Sequence, residues 1–429
     1  MRALRLCVSL LILVGACDGD EPGGTDAGRD AGVDAGGVGE TVDPTSLDLE
    51  ADPPGEWLAG DLHVHATGAS NDTGGDSFPE DIARVARERG LFFVVLTDHS
   101  NSTGSDPSTL EEDPALFNQG PEFPYWDEAA ALSEPGAFLM IDGNEISPVA
   151  AGERPSEPTG HVGCVPADLE AFDREGAFTD RPRGAVTGGE VLAQARARGC
   201  FTVLNHPWGA PWTSFDWTSF DYDAMEIWNG TAGLDAADRS GHAAWRCDLL
   251  AGRAVTPIAA SDNHRVFREP PGEVLHPALG FPRTHVFARE RTWLAIVEGL
   301  RAGRVALGEG ESALFLDAYA EDGARDASGA TRWLRVRGRL DARARNARLR
   351  LTRATGCVDT RAEDRAPPEP TETVLLERTI APGEPFDWAV RVEGEPGVHT
   401  AVLDARGGHW GALSGAVVIE GSGGDRARD

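Results

Sequence analysis

Asp61-Leu62-His63-Val64-His65 sets a carboxylate and two imidazoles at alternate positions of one short run. In an extended chain, a period of two puts all three on one face. Two imidazoles held together in this way are a natural chelate for a divalent metal. Other histidines fall in comparable places. The apolar run at 91–97 ends in Asp98-His99, the run at 201–205 ends in His206-Pro207, and the run at 254–261 ends in Asp262-Asn263-His264. Asp142-Gly143-Asn144-Glu145 and His161-Val162-Gly163 lie between them. Six of the 11 histidines thus sit at or near the ends of strand-like runs. In parallel αβ architectures these ends converge on one face, and that face carries the site. Nitrogen and oxygen donors without cysteine suit Zn, Mn or Fe.

The elements that would position these groups alternate. Ser77-Phe78-Pro79-Glu80 reads as a capping box with proline just inside a helix. Ile82, Val85 and Ala86 give that helix its apolar face, and Gly90 stops it. Residues 191–198, 243–251 and 293–302 read as helices, each followed by a strand at 201–204, 254–260 and 305–307. Such repeated units predict an α/β barrel or a doubly wound sheet. From about residue 311 the helical patterns stop. Some seven short strands with turn residues between them predict an immunoglobulin-like β-sandwich over 311–421. No catalytic constellation is visible in that half.

Read in order, the histidine and acid motifs resemble those of the PHP (polymerase and histidinol phosphatase) superfamily, over residues 57 to about 310. Gly60-Asp61-Leu62-His63 and Ser70-Asn71-Asp72-Thr73-Gly74-Gly75 further resemble its CehA/McbA-like branch, named for carbamate-hydrolysing members. The resemblance implies a distorted (β/α)7 barrel with two or three divalent metals at its mouth, Zn, Mn or Fe. Members of the branch often end in a β-sandwich. By the same resemblance, His63, His65, Glu145 and Asp262 are ligands of a first metal. Glu145 bridges to a second, held by His161 and His206. His99 and His264 are two ligands of a third. Where trinuclear members carry a further histidine, this chain has Asn71, followed by Asp72 as a substitute ligand. Two metals are therefore expected, with the third in question. Asp61 and Asp98 have two readings, as ligands or as acceptors that orient imidazoles; the second is preferred.

The chemistry implied is hydrolysis by a hydroxide that bridges two metals. Glu145, Asp262, His264 and His99 form the catalytic set, with His264 or His99 protonating the leaving group if free of metal. Phosphomonoesters or phosphodiesters of small molecules are the first substrate class by family analogy. Arg265, with Arg283 nearby, is a candidate to bind a phosphate oxygen. Trp208 opens a segment that also holds Trp212, Trp217 and Trp228 and should overhang the mouth. Such a wall would suit an apolar leaving group, which keeps carbamates and aryl esters as an alternative. A different class is an exported binding protein with a structural metal site.

Composition bounds these readings. The chain has 429 residues and a net charge of −31, with 39 basic residues, all of them arginine. A polyanion of this kind is a poor partner for nucleic-acid backbone. The absence of lysine excludes a Schiff-base or phosphate-loop lysine. Residues 1–16 read as an export signal, and Cys17 resembles the lipidated cysteine of bacterial lipoproteins. The protein is thus expected to be lipid-anchored to the cell envelope. Acidic, repetitive residues 17–56 read as a disordered spacer, and 422–429 as a disordered tail. Cys164, Cys200, Cys247 and Cys357 would then meet an oxidising compartment, with three pairings open.

Overall fold

The computed structural model describes residues 40–420 except 71, 74, 100–102, 106–111, 148–158, 181–185, 210–212, 231–232, 274–275 and 406–408. The export signal, Cys17, the spacer up to residue 39, Asn71, Trp212 and the tail lie outside the described residues.

Strand Phe93–Leu96 is buried along its whole length, as a four-residue apolar run covered on both faces must be. It runs parallel to Glu56–Val64 on one side and to Leu139–Asp142 on the other. Helix Pro79–Glu88 covers this sheet with Ile82, Ala83, Val85 and Ala86. A second sheet holds Cys200–Asn205, Ala224–Asn229 and Thr256–Ala260 in parallel. His161–Pro166 joins it antiparallel, followed by Asn144–Ile146. The two sheets meet at a parallel bridge between Val64 and Asn263. They meet again at Gly143, where the chain steps from one sheet to the other. A Cβ at Gly143 would stand 2.9 Å from the Cys164 carbonyl oxygen and 3.0 Å from that of Leu96, so only glycine fits the step.

This differs from the (β/α)7 barrel expected. Four parallel ladders form among the described residues, split between two mixed sheets. His161–Pro166 and Arg283–Ala288 run antiparallel to their neighbours, so these positions are not βα repeats.

The second half is a two-layer β structure. One layer orders Thr41–Val42, Pro385–Arg391, Thr331–Arg339 and Ala313–Ala320. The other holds Glu369–Ile380, Ala347–Val358, Gly397–Ala405 and Ala412–Ser414. Leu314, Leu334, Val336 and Val390 from the first layer pack on Leu349, Leu351, Leu376 and Leu403 from the second. This second layer does not end at the domain edge. Val305–Gly308 pairs with Ala412–Ser414 on one side and Arg283–Ala288 on the other, so one ten-stranded sheet runs through both halves.

Residues 40–56, read from composition as spacer, are part of this structure. Thr41–Val42 pairs with Pro385–Arg391. Val42, Leu47 and Leu49 cover the buried side chains of Tyr319 and Trp333. Asp52 forms ion pairs with Arg325 and Arg337. Three apolar residues and one well-placed acid outweigh the polar composition around them.

The four cysteines form two disulfides, Cys164–Cys200 and Cys247–Cys357. The second joins helix Ala236–Leu250 to strand Ala347–Val358 across the two halves. Beside it, Arg361 is fully buried and pairs with Asp248 at 2.5 Å and Asp359 at 2.7 Å. Tyr222 Oη donates to Asp248 at 2.6 Å, and Arg253 approaches the same carboxylate at 2.6 Å. The Arg361 guanidinium lies 4.7 Å from the Trp217 ring centroid and 5.0 Å from that of Phe220. Removing one member of a buried ion pair leaves its partner desolvated and under-compensated. Arg361→Ala should therefore lower stability by about 3 kcal/mol. Denaturant unfolding with Cys247–Cys357 intact measures it; a change below about 0.5 kcal/mol, the scale of ordinary surface substitutions, would show that the contact does not join the halves.

Candidate metal centre

His63 is the last but one residue of its strand, and His65 follows directly after it. His206 follows Cys200–Asn205, and Asp262 and His264 follow Thr256–Ala260. His99 lies beyond Phe93–Leu96. Glu145 occupies the middle of Asn144–Ile146, and His161 opens the antiparallel strand beside it.

These side chains converge on Glu145, which is 1% exposed. Its Oε1 lies 3.2 Å from His63 Nε2, 3.1 Å from His161 Nδ1 and 3.2 Å from His206 Nε2. Its Oε2 lies 3.2 Å from His99 Nδ1 and 3.8 Å from His65 Nε2. Asp262 Oδ1 sits 3.3 Å from His63 Nε2, 3.1 Å from His65 Nε2 and 3.6 Å from His264 Nδ1. Asp72 Oδ2 lies 3.0 Å from His264 Nε2 and 3.6 Å from His99 Nε2.

Four overlapping groups have donor atoms within 4.8 Å of one another. They are His63-His65-Glu145, His63-His206-Asp262, Glu145-His161-His206 and His65-Asp72-His99-His264. Glu145, His161 and His206, expected at a second metal, form one group; of the four residues expected at a first, His63, His65 and Glu145 form another while Asp262 groups with His63 and His206; and Asp72 stands with His99 and His264. The donor chemistry fits metal ions. Ligand atoms at about 2.1 Å from one ion stand roughly 3.0–3.4 Å apart in octahedral or tetrahedral geometry. His63 Nε2 and His65 Nε2 face each other at 3.1 Å, a spacing of that kind between two nitrogens.

Burial and neighbours tune these groups in opposite directions. Burial disfavours the Glu145 carboxylate, but His161 and His63 outweigh it and hold its pKa well below the usual range. Asp262 behaves alike, burial being outweighed by His63 and His65. His65 is pushed down to about 3 by burial and by the charge of His264. Burial also lowers His264, yet Asp72 and Asp262 hold it up at about 9.

Asp61 does not meet an imidazole. Its carboxylate accepts from the backbone N–H of His63 at 3.3 Å and of Ser261 at 3.0 Å. Ser261 Oγ donates to it at 2.5 Å and the Gly280 N–H at 2.7 Å. It therefore fixes the backbones on which His63 and Asp262 stand, and burial raises its pKa. Asp98 acts through a serine. It accepts from Ala66 N–H at 2.6 Å and Ser70 Oγ at 2.8 Å, and that hydroxyl lies 2.9 Å from His65 Nδ1. Burial pushes Asp98 up to about 7 against those hydrogen bonds. Ser77, read as a helix cap, makes no such cap: the N-cap position is Phe78. Ser77 Oγ instead donates to the His264 carbonyl at 3.2 Å and accepts from Val266 N–H at 3.0 Å.

The two arginine candidates separate. Arg283 is consumed by backbone carbonyls, donating to Gly280 at 3.0 Å and Arg89 at 3.1 Å. Arg265 Nε is buried with no hydrogen-bond partner. The aromatic segment is largely core, with Phe215, Trp217, Tyr222 and Trp228 each no more than 4% exposed. Trp208 is half-buried, its indole N–H directed to the Arg365 carbonyl at 3.4 Å.

Glu226 escaped the sequence reading. Its Oε1 lies 3.2 Å from His63 Nδ1, and its Oε2 accepts from the His206 N–H at 2.7 Å. The available signal was an acid inside the apolar run Ala224–Asn229. Ser70, Ser147 and Asn205 were missed too: Ser147 Oγ lies 2.6 Å from His99 Nδ1, and Asn205 Nδ2 donates to Glu145 at 2.9 Å.

No family model and no characterised protein matches the chain. Among solved structures it is similar to a two-domain protein containing a predicted PHP-like metal-dependent phosphoesterase from Bacteroides vulgatus. That match has 17% identity and a TM-score of 0.40, covering 83% of this chain and 94% of the other. It is also similar to the lesion-specific endonuclease PfuEndoQ from Pyrococcus furiosus, at 16% identity and a TM-score of 0.37, covering 58% of this chain and 56% of that one.

Glu226 offers a test of metal binding at these donors. A carboxylate on the far nitrogen of a ligating imidazole fixes its tautomer and raises its basicity. Glu226→Gln should weaken metal affinity roughly 10–100-fold with the fold retained. Competition with a chromophoric chelator reads this; unchanged affinity would mean that His63 is not a ligand.

Proposed function

We infer that this chain is a metal-dependent hydrolase of phosphate esters, of the PHP type and its CehA/McbA-like branch. The observation that carries the reading is the buried carboxylate of Glu145, shared by imidazoles from different strand ends. His63, His65, Glu145 and Asp262 would hold one metal, and Glu145, His161 and His206 a second. His99, His264 and Asp72, beside His65, would hold a third. Divalent metals at such positions supply Lewis acidity and an acidified water. The chain supplies the rest. Glu145 sets the spacing of two seats and offsets the repulsion between their occupants. Asp61, Asp98 and Glu226 hold the backbones and rings in place. Arg265, the residue after His264, would take a phosphoryl oxygen through its guanidinium.

Exposure favours catalysis over a structural metal. The side chains of Asp262, His264 and Asp72 are 23%, 19% and 49% exposed, so the centre opens to solvent on one side. Structural sites are closed, whereas catalytic ones keep an open position. Burial of the aromatic segment in the core removes most of the wall that favoured an aryl carbamate. Two disulfides accord with export to an oxidising compartment, and hence with the lipid anchor proposed at Cys17.

Metal analysis of the full chain, together with a panel of phosphomonoesters, phosphodiesters and carbamates, tests the reading. Chelation should abolish hydrolysis and metal return should restore it. Glu145→Gln should lose more than ~100-fold in rate and one metal, while Asp72→Ala should lose a different single metal. Folded protein that takes up no metal after supplementation would sink the proposal; hydrolysis confined to carbamates would move it to the other substrate class.

A further inference from the structure

Asn229 ends strand Ala224–Asn229 and pairs with Ala260 of the neighbouring parallel strand. Asp262 lies two residues beyond that partner. The chain leaves Asn229 through Gly230, at φ +36°, where a Cβ would collide with the Ser261 carbonyl oxygen. Glycine is what allows so close a pass. The Gly230 N–H donates to the Ala260 carbonyl at 3.0 Å, and the Asn229 N–H to Asp238 Oδ1 at 3.0 Å. The backbone of Asn229 is thus fixed, whatever its side chain does.

That side chain sits between two acids. Asn229 Nδ2 donates to Glu226 Oε2 at 3.0 Å and to Asp262 Oδ2 at 3.4 Å. Ionised carboxylates only accept, and a primary amide brings two donors without a charge. Asp262 divides its oxygens accordingly. Its Oδ1 lies 3.3 Å from His63 Nε2 and 3.1 Å from His65 Nε2, while Oδ2 is the oxygen that Asn229 meets. The backbone of Asp262 lies in the left-handed region at φ +53°. A non-glycine residue persists there only where its surroundings over-determine it. His206, at φ +29°, is in the same condition. Its N–H is held by Glu226 Oε2, the other oxygen that receives the Asn229 amide.

We propose that Asn229 is a positioning residue of the metal centre. By holding Asp262 Oδ2 it keeps Oδ1 turned to His63 and His65, and so sets how tightly the seat shared by these residues takes its metal. The proposal rests on the metal-binding part of the hydrolase reading and is independent of the ester.

The test uses the full chain, stripped of metal and titrated with Zn2+ against a chromophoric chelator. Asn229→Ala should weaken one bound metal roughly ten-fold and leave the seat of His161 and His206 unchanged. Asn229→Leu fills similar space without a donor and should do the same. The unfolding midpoint of the metal-free protein should stay close to wild type in at least one of the two. With Co2+ in place of Zn2+, the visible spectrum of that variant should differ from wild type, a change that a packing role would not produce. In a Glu226→Gln background, Asn229→Ala should still cost several-fold, because the contact with Asp262 remains. Wild-type affinity in Asn229→Ala overturns the proposal, as does an Asn229→Leu variant that binds like wild type. Loss of affinity matched by loss of fold in both variants overturns it too, and so does the absence of any further loss in the Glu226→Gln background. Metal affinity that depends on Asn229, without hydrolysis of any phosphate ester, would support Asn229 and overturn the hydrolase reading instead.

Discussion

The carboxylate of Glu145 is almost wholly removed from solvent, and a bare carboxylate in that position would be strongly disfavoured. Its stability depends on the imidazoles of His63, His99, His161 and His206, which face it from separate segments. Each of those rings is in turn desolvated by the same packing. Neither partner could be buried in this way alone, so the centre forms only when all the segments that bring it together are in place. Gly143 is the geometric condition for this. It lets the chain step between sheets immediately before Glu145, against the carbonyls of Leu96 and Cys164.

Around the centre, polar groups act mainly on backbone. Asp61 joins the His63 strand to the Ser261 segment and to Gly280. Ser77 clips the His264 segment from the entrance of a helix. Glu226 does two jobs at once, steering the His63 ring and holding the His206 backbone. A buried carboxylate that accepts two or three hydrogen bonds from main chain is satisfied locally, so it can fix a ligand's position without competing for the same cation.

Much of this was legible in the residues because donors at strand ends leave a pattern in one dimension: His63 and His65 at period two, and His99, His206 and His264 each after an apolar run. What was not legible follows from the same logic. Asp61 sits in that pattern but turns to backbone atoms from residue 261 and residue 280, partners far away in the chain. Glu226 lies in a strand, Ala224–Asn229, at the end of the tryptophan segment read as a wall over the mouth. Ser77 has the sequence of a helix cap, yet its hydroxyl oxygen accepts from the distant Val266 N–H instead of a helix N–H and donates to the His264 carbonyl. Residues 40–56 look like spacer by composition, yet they are held by a few apolar contacts that composition averages away. The closed barrel failed for a related reason: helical periodicity marks the helices well, but it does not reveal that His161–Pro166 runs antiparallel to its neighbour.

The two halves share more than a border. Val305–Gly308 hydrogen-bonds to a strand of each, so neither half can keep its sheet intact without the other. The absence of lysine matters here. At the second point of contact, one cation meets Asp248 and Asp359 together, 4.7 Å from the Trp217 ring centroid and 5.0 Å from that of Phe220. A guanidinium offers a planar fork of donors and a face that stacks, whereas an ammonium is a compact, strongly hydrated point charge. Arg361 reaches both carboxylates through its Nε and Nη2, while its Nη1 is buried with no hydrogen-bond partner. The same junction fixes the loop whose tip touches Trp208, two residues beyond a ligand candidate. The β-sandwich thus touches, through the Arg365 carbonyl and Trp208, the turn that lies against His206.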